Sequence, residues 1–318
     1  MTSPTTRITA DLPGLLAEIA HAYQLGDLTD WRVLSTGYED CNIAAETSAS
    51  GAVVIKVFGP TRPPGIAART ATLITAARRA GVRHPRLHHT RTGVHEFHLP
   101  GHQILVMDMV VGTTLYDHSR APSDAELFAV LADAARIHSL ALHPSPVADP
   151  WAVTNLNRLA AELSDVLDDE QRHHVTAAVD QLAAIDMAGL PHALIHGDLT
   201  KGNILIEPDG QVTLLDFAVA IRAPRIQELA MVAANLTHGD TDPLPQRADR
   251  IAELYSRTAV APLDDRERTA LTVFTRAAAA MEMLGALAEW HHHDNRNTET
   301  AFLIRLGLSG LRDFGTIS

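Results

Sequence analysis

The stretch that most constrains this chain is LIHGDLTKGNIL, residues 194–205. Two short apolar runs, ALIHG and NILIE, flank a few polar residues, and a third run, QVTLLDF, follows the tripeptide PDG at 208–210. Runs of this length bounded by turn residues read as short buried strands. PDG reads as a turn because proline presets φ and glycine supplies a positive one. His196, Asp198, Lys201 and Asn203 are thereby confined to one loop between buried strands. Such a loop is either a plain polar turn or an active-site loop.

The rest of the chain changes character once. DLPGLLAEIAHAYQL (11–25) and AARTATLITAARRAG (67–81) carry apolar residues at helical spacing. Between them, WRVLSTGYEDCNIAAET reads as strand, turn, strand with Gly37 at the turn, and AVVIKVF (52–58) as a buried strand interrupted by Lys56. HQILVMDMVVG (102–112) is another buried strand. Helices then dominate. APSDAELFAVLADAARIHSLAL has Ser123 and Glu126 placed for a capping box, with Leu127, Val130, Leu131, Ala134 and Ile137 as its apolar stripe. NLNRLAAELSDVLDDEQRHHVTAAVDQLAAID reads as one or two helices, and the chain from about 225 as helical. A length of 318 residues fits two domains, and the boundary falls near Gly112: 1–111 strand-rich, 112–318 helix-rich.

Composition narrows the function classes. A net charge of −12 argues against nucleic-acid or anionic-membrane binding, which need basic footprints; it suits a cationic substrate, although solubility explains it equally well. One cysteine, Cys41, cannot build an internal disulfide framework and reads as a small buried hydrophobe. MTSPTTRITADLPG lacks the apolar core of a signal peptide, and TRAAAAMEMLGALAEW is broken by Glu282, so a cytoplasmic chain with no membrane span is expected.

Three polar features interrupt or end apolar strands: Lys56 within VVIKVF, Asp198 with Asn203, and Asp216 at the end of VTLLD. A lysine in a buried strand is costly unless it meets an anion. Two acids and an amide on a short hairpin can hold a divalent cation through oxygen. Lysine, metal and base are together the set required for phosphoryl transfer from ATP.

On these residues the chain resembles the aminoglycoside-phosphotransferase and choline/homoserine-kinase-like group of the protein-kinase-like superfamily. HGDLTKGN resembles its catalytic loop, LLDFA its metal-binding segment, VVIKVF its lysine strand and MDMVVGTTL its strand-to-linker pattern, in order over roughly residues 15–235. The resemblance implies an α+β bilobal protein-kinase-like fold, with an antiparallel-sheet, nucleotide-binding N-lobe and a mainly helical C-lobe carrying the catalytic loop. It implies Asp198 as base, Asn203 and Asp216 as Mg²⁺ ligands, and Lys56 on the α- and β-phosphates. Ser35, Thr36 and Gly37 would cover the phosphates, the backbone of Asp108, Met109 and Val110 would hold adenine, and His196 would brace the loop. The implied activity is transfer of the γ-phosphate of ATP, with GTP as the alternative donor, to a hydroxyl of an antibiotic, amino alcohol, amino acid or sugar.

The sequence departs from that group in the helix after the lysine strand. No acid stands there, and the position of the group's glutamate falls near Thr70. Lys56 is expected to meet Glu39 or Asp40, or to stay unpaired until nucleotide binds. In PRIQELA, Glu228 is a candidate to brace the catalytic loop, and Lys201 has no assigned role. Arg225 reads as a helix-capping or surface arginine, HHHDN (291 onward) as a solvated face, and Glu282, Glu289 and Asp294 as exposed helix acids. Two rivals accompany the kinase reading. A nucleotide-binding pseudokinase rests on the missing helix glutamate. A protein kinase is disfavoured because LLDFA runs into PRIQELA with no room for an activation loop.

Overall fold

The computed structural model describes residues 12–34 and 40–315. The expected phosphate-covering turn, Ser35, Thr36 and Gly37, and Glu39 lie outside the described residues. The chain divides into two compact units. One comprises the chain up to Arg79 together with Arg83–Gly112, the other Ala80–Val82 together with the chain from Thr113 onward.

The first unit is a five-stranded antiparallel sheet with two helices. In chain order its elements are α1 (Leu12–Tyr23), β1 (Leu28–Val33), β2 (Cys41–Thr47), β3 (Gly51–Phe58), α2 (Ile66–Arg79), β4 (Glu96–Leu99) and β5 (His102–Asp108). The strands lie in the order β1-β2-β3-β5-β4. Ile43, Val53, Ile55, Ile104 and Val106 form the buried face with Leu15, Leu16 and Ile19 of α1. Alternation along β-branched strands puts these residues on one side, which is the two-residue period of a pleated sheet. The expected strand 102–112 ends at Asp108, and β4 is an edge strand that the apolar pattern of the sequence does not reveal. Its burial is only partial, so EFHL has no strong hydrophobic signature.

The second unit is mainly helical. A two-residue strand β6 (Thr113–Thr114) leads into α3 (Leu115–His118), α4 (Asp124–His138), α5 (Leu156–Glu162) and α6 (Asp169–Ala183). Four short strands follow: β7 (His192–Ile195), β8 (Ile204–Ile206), β9 (Val212–Leu214) and β10 (Ile221–Pro224). They form two small sheets, β10 with β7 and β6-β8-β9. Then come α7 (Ile226–Met231), which runs into a π-helical turn over Val232–Leu236, α8 (Leu244–Thr258), α9 (Asp265–His292) and α10 (Thr298–Arg312). The 28-residue α9 is apolar on nearly every side because it is the central helix of this unit: 89% of its most apolar window is buried.

The local start signals hold. Ser123 accepts from the Glu126 N–H, and Glu126 returns a hydrogen bond to the Ser123 N–H, completing the capping box of α4. The stripe from Leu127 to Ile137 is fully buried. Hydrogen bonds from Arg120 hold the Glu126 carboxyl down at about 2, against the opposing effect of partial burial. Ser123→Ala should therefore lower stability by about 1 kcal/mol, read as a shift in the urea unfolding midpoint at unchanged slope.

Candidate active site

The catalytic-loop stretch is held between β7 and β8. Its entry is a tight turn at Gly197, whose φ of +87° and a virtual Cβ only 3.0 Å from the Val219 carbonyl exclude any other residue without strain. The turn leaves two backbone N–H groups, of His196 and Gly197, without β-ladder partners. The Glu228 carboxylate accepts both, at 3.2 and 3.0 Å. Glu228 is 1% exposed and also bonds the His138 Nε2 at 2.8 Å, while His138 Nδ1 meets the Tyr255 hydroxyl at 2.7 Å. The acid of PRIQELA thus braces the loop, tied to α4 and α8 by His138 and Tyr255, which the sequence did not single out.

His196 is fully buried and serves as a brace. Its Nε2 lies 3.0 Å from the Leu215 carbonyl, and its Nδ1 accepts from the Asp198 N–H at 3.3 Å. Those partners place a ring proton on Nε2. The Phe217 ring packs edge-on against it, 4.5 Å between centroids.

Asp198 and Asn203 face each other across the loop: Asn203 Nδ2 donates to Asp198 Oδ2 at 2.6 Å and to the Asp198 carbonyl at 3.1 Å. Asp216 joins them because the Leu215 N–H donates to the Asn203 carbonyl at 2.9 Å, extending the β8–β9 pairing by one step. Asp216 has a φ of +61°, a left-handed conformation that aspartate tolerates better than most residues, and its Oδ1 accepts from the Ala218 N–H at 3.0 Å. Burial, reinforced by the Asp216 charge, raises the Asp198 carboxyl above the usual carboxylate range, while His196, Thr200 and Asn203 pull the other way. Asp198, Asn203 and Asp216 present hard oxygen donors suited to a divalent cation. Among the described residues no three His, Cys, Asp or Glu side chains form a metal cage.

The first unit carries Lys56. It is 3% exposed and forms a 2.9 Å ion pair with Asp40 Oδ2. The register explains the match. Asn42 lies opposite Lys56, so Asp40, two residues earlier on the same face, is its diagonal neighbour. Asp40 also accepts from the Gly59 N–H at 3.0 Å and from Arg62 at 3.2 and 3.3 Å. Thr70, at the position of the missing glutamate, is buried with its hydroxyl unbonded. In the linker, the Asp108 N–H donates to the Arg86 carbonyl at 2.9 Å and the Met109 N–H to the Ala52 carbonyl at 3.0 Å. Among the described residues the Val110 N–H has no such backbone partner.

Lys201, unassigned from the sequence, is a scaffold residue: its ammonium donates to the Arg120 carbonyl, and its N–H donates to Asn235 Oδ1 at 2.9 Å. Two expectations need correction. Arg225 holds the N-cap position of α7, but its side chain neither caps the helix nor lies at the surface. It is buried, paired with Glu267 at 2.6 and 2.7 Å and bonded to the Ala261 and Pro262 carbonyls. Glu282 is 3% exposed, accepting from Asn235 Nδ2 at 2.8 Å. Burial, with Asp198 and Glu299 adding repulsion, pushes its carboxyl up to about 8. Its signal was present in the sequence, since Glu282 interrupts the apolar run AAAAMEMLGALA, which marks a buried helix segment. Asn235, alone in the apolar run MVAANL, carried the same signal. His291, His292 and His293 are exposed, as expected, and Cys41 is buried, its thiol pushed up to about 11 by burial and by Asp40.

Residues 30–272 match the phosphotransferase enzyme family. A homoserine kinase of Rhodopseudomonas palustris (strain BisB5) is 24% identical over 280 residues, covering 86% of this chain and 84% of the relative. A homoserine kinase of Brucella ovis is 25% identical over 273 residues, covering 84% and 82%. Among solved structures, spectinomycin phosphotransferase with ADP and spectinomycin superposes with a TM-score of 0.70 at 11% identity, covering 97% of this chain and 99% of that one. Choline kinase from Streptococcus pneumoniae gives 0.63 at 12%, covering 95% and 99%. The fold is thus the protein-kinase-like fold of these enzymes.

Glu228→Ala would strand two buried N–H groups and a histidine. It should cost about 3 kcal/mol or more in urea unfolding, with Glu228→Gln intermediate because it keeps one acceptor oxygen.

Proposed function

From the premise that this chain belongs to the phosphotransferase enzyme family, we propose that it transfers the γ-phosphate of ATP to a hydroxyl of a small, amine-bearing acceptor. The observation that carries this reading is the Asp198–Asn203 pair, 2.6 Å apart beside Asp216, on a loop whose backbone is fixed by a buried glutamate. Asp198 has the role of base. It accepts the acceptor's hydroxyl proton as that oxygen attacks phosphorus, and a carboxyl raised above its ordinary range is a stronger base for the task. Asn203 and Asp216 are proposed to hold Mg²⁺, which when bound neutralises charge on the transferring phosphate. Lys56, oriented by Asp40, is proposed to contact the α- and β-phosphates, and the linker from Asp108 to Val110 the adenine, GTP being the alternative donor.

Glu282 supports a cationic acceptor. A buried carboxyl with one donor, Asn235, and a proton affinity raised to about 8 is an incomplete ion pair. An acceptor ammonium beside it would complete the pair and offset the repulsion from Asp198 and Glu299. The relatives named homoserine kinase make homoserine, an alcohol with an amino group, the first acceptor to test, with choline and spectinomycin next.

Asp198→Ala should reduce kcat by about 10²–10⁴ while leaving the nucleotide Kd within a small factor, measured by coupled ADP release and by calorimetry. Wild-type-like turnover in that variant would remove Asp198 from the mechanism. Tight nucleotide binding by the wild type with no turnover on any acceptor would favour the pseudokinase.

Glu282→Gln should raise KM for an amino-alcohol acceptor about tenfold or more, with little change for the same alcohol lacking the amine. The same variant has a stability signature. A folded-state pKa raised to about 8 means that the native state holds a proton the unfolded chain has released, so this group costs stability as pH rises from about 4.5 to about 8. Glu282→Gln should flatten that part of the stability–pH curve.

A further inference from the structure

The first unit contains a concave site that neither Lys56 nor Asp40 lines. A cavity of about 400 Å³ opens beside the last turn of α2. Its apolar floor is Ile74 with Leu87, which forms a bridge to Met107 of β5. Arg78 and Arg79 from α2 and Arg86 make its rim cationic, beside the paired imidazoles of His89 and His95, whose ring centroids are 4.0 Å apart. No acid is among its described lining residues.

Residues 47–95 contain eight Lys or Arg and no Asp or Glu, in a chain whose net charge is −12, and three of the eight, Arg78, Arg79 and Arg86, line the cavity. Three cations at one cavity create a local attractive field for anions. Desolvation first, and then His95, His88 and Arg86, hold the His89 imidazole below its ordinary value. A volume of about 400 Å³ lies in the small-molecule range, and arginine forks match phosphate and carboxylate in pairs of hydrogen bonds.

One rim residue connects this cavity to the linker. Arg86 clamps the Asp108 carboxylate with two hydrogen bonds, 3.0 and 3.1 Å, and His88 Nε2 adds a third at 2.8 Å. Asp108 is the last residue of β5, and the Arg86 guanidinium is largely exposed, 63% by side chain. An anion in the cavity would compete with Asp108 for that guanidinium.

We propose that this cavity binds a small organic polyanion, a phosphate ester or a polycarboxylate, and that its occupation lowers affinity for the nucleoside by drawing Arg86 from Asp108. The binding half stands on the cavity alone. The coupling half rests on the reading of Asp108–Val110 as the adenine linker.

The test is calorimetric titration of the full chain with citrate and with glycerol 3-phosphate, and with glycerol as the neutral control. The buffer is free of divalent cations and at physiological ionic strength. At least one anion should bind saturably at one site, and glycerol should not. Which anion binds more tightly distinguishes the carboxylate from the phosphate source. Arg78→Glu/Arg79→Glu, on exposed positions outside the catalytic groups, should weaken that binding about tenfold or more and leave basal turnover unchanged. Adenosine, which carries no phosphate to compete for the cationic rim, reports the linker: its Kd should rise at least threefold at saturating anion in the wild type and not in the double variant. Absence of saturable anion binding, or binding indifferent to the double variant, overturns the site. An unchanged adenosine Kd at saturating anion overturns the coupling. The anion and adenosine titrations need no phosphoryl transfer, so a failure of the kinase reading shows separately, as absent turnover in the wild type.

Discussion

The loop geometry depends on one buried carboxylate. A strand that ends in a tight glycine turn exposes consecutive N–H groups, and in a dry interior each must find an acceptor or cost about 1–3 kcal/mol. Glu228 offers two oxygens to the His196 and Gly197 N–H groups and still accepts from His138. A serine or asparagine could not take all three. Because His138 belongs to α4 and its other nitrogen reaches Tyr255 of α8, the loop is fixed to the helical core at several points. The position of Asp198 is thereby a property of the whole second unit.

A second layer of polar contacts lies deeper in the same unit. The π-helical turn over Val232–Leu236 carries Asn235, whose amide links the Lys201 N–H on one side to Glu282 on the other. π-turns are uncommon and concentrate at functional sites because they shift one residue out of helical register. Here the shifted residue is the only described donor to the Glu282 carboxyl. Lys201, buried and lowered to about 8 by burial and by nearby Arg120 and Arg247, belongs to this scaffold.

Much of the architecture was legible locally. Helices announced by caps and stripes, such as α4 with Ser123, Glu126 and its buried leucines, begin where the sequence places them. The strand carrying Lys56 and the strand pair flanking Asp198 follow from short β-branched runs between turns. β4 and β10 were not legible, because EFHL and IRAP carry neither alternation nor a long apolar run and pair only because a neighbour is present. Arg225 and Glu282 were misread for one reason. Average behaviour places charges on helix surfaces, whereas these two are compensated by residues 42 and 47 positions away.

Sequence alone determined the passage from a strand-rich to a helix-rich part, the confinement of Asp198 and Asn203 to one loop, and the presence of a lysine inside an apolar strand. These are consequences of periodicity and short spacing, and a few neighbouring residues suffice to specify them. Tertiary structure alone decided that Lys56 takes Asp40 as its partner, that Glu228 reaches the loop 31 residues before it, and that Glu282 is buried. Each of these depends on two distant segments being brought within hydrogen-bond distance, and the low-dielectric interior then decides which charge is tolerated.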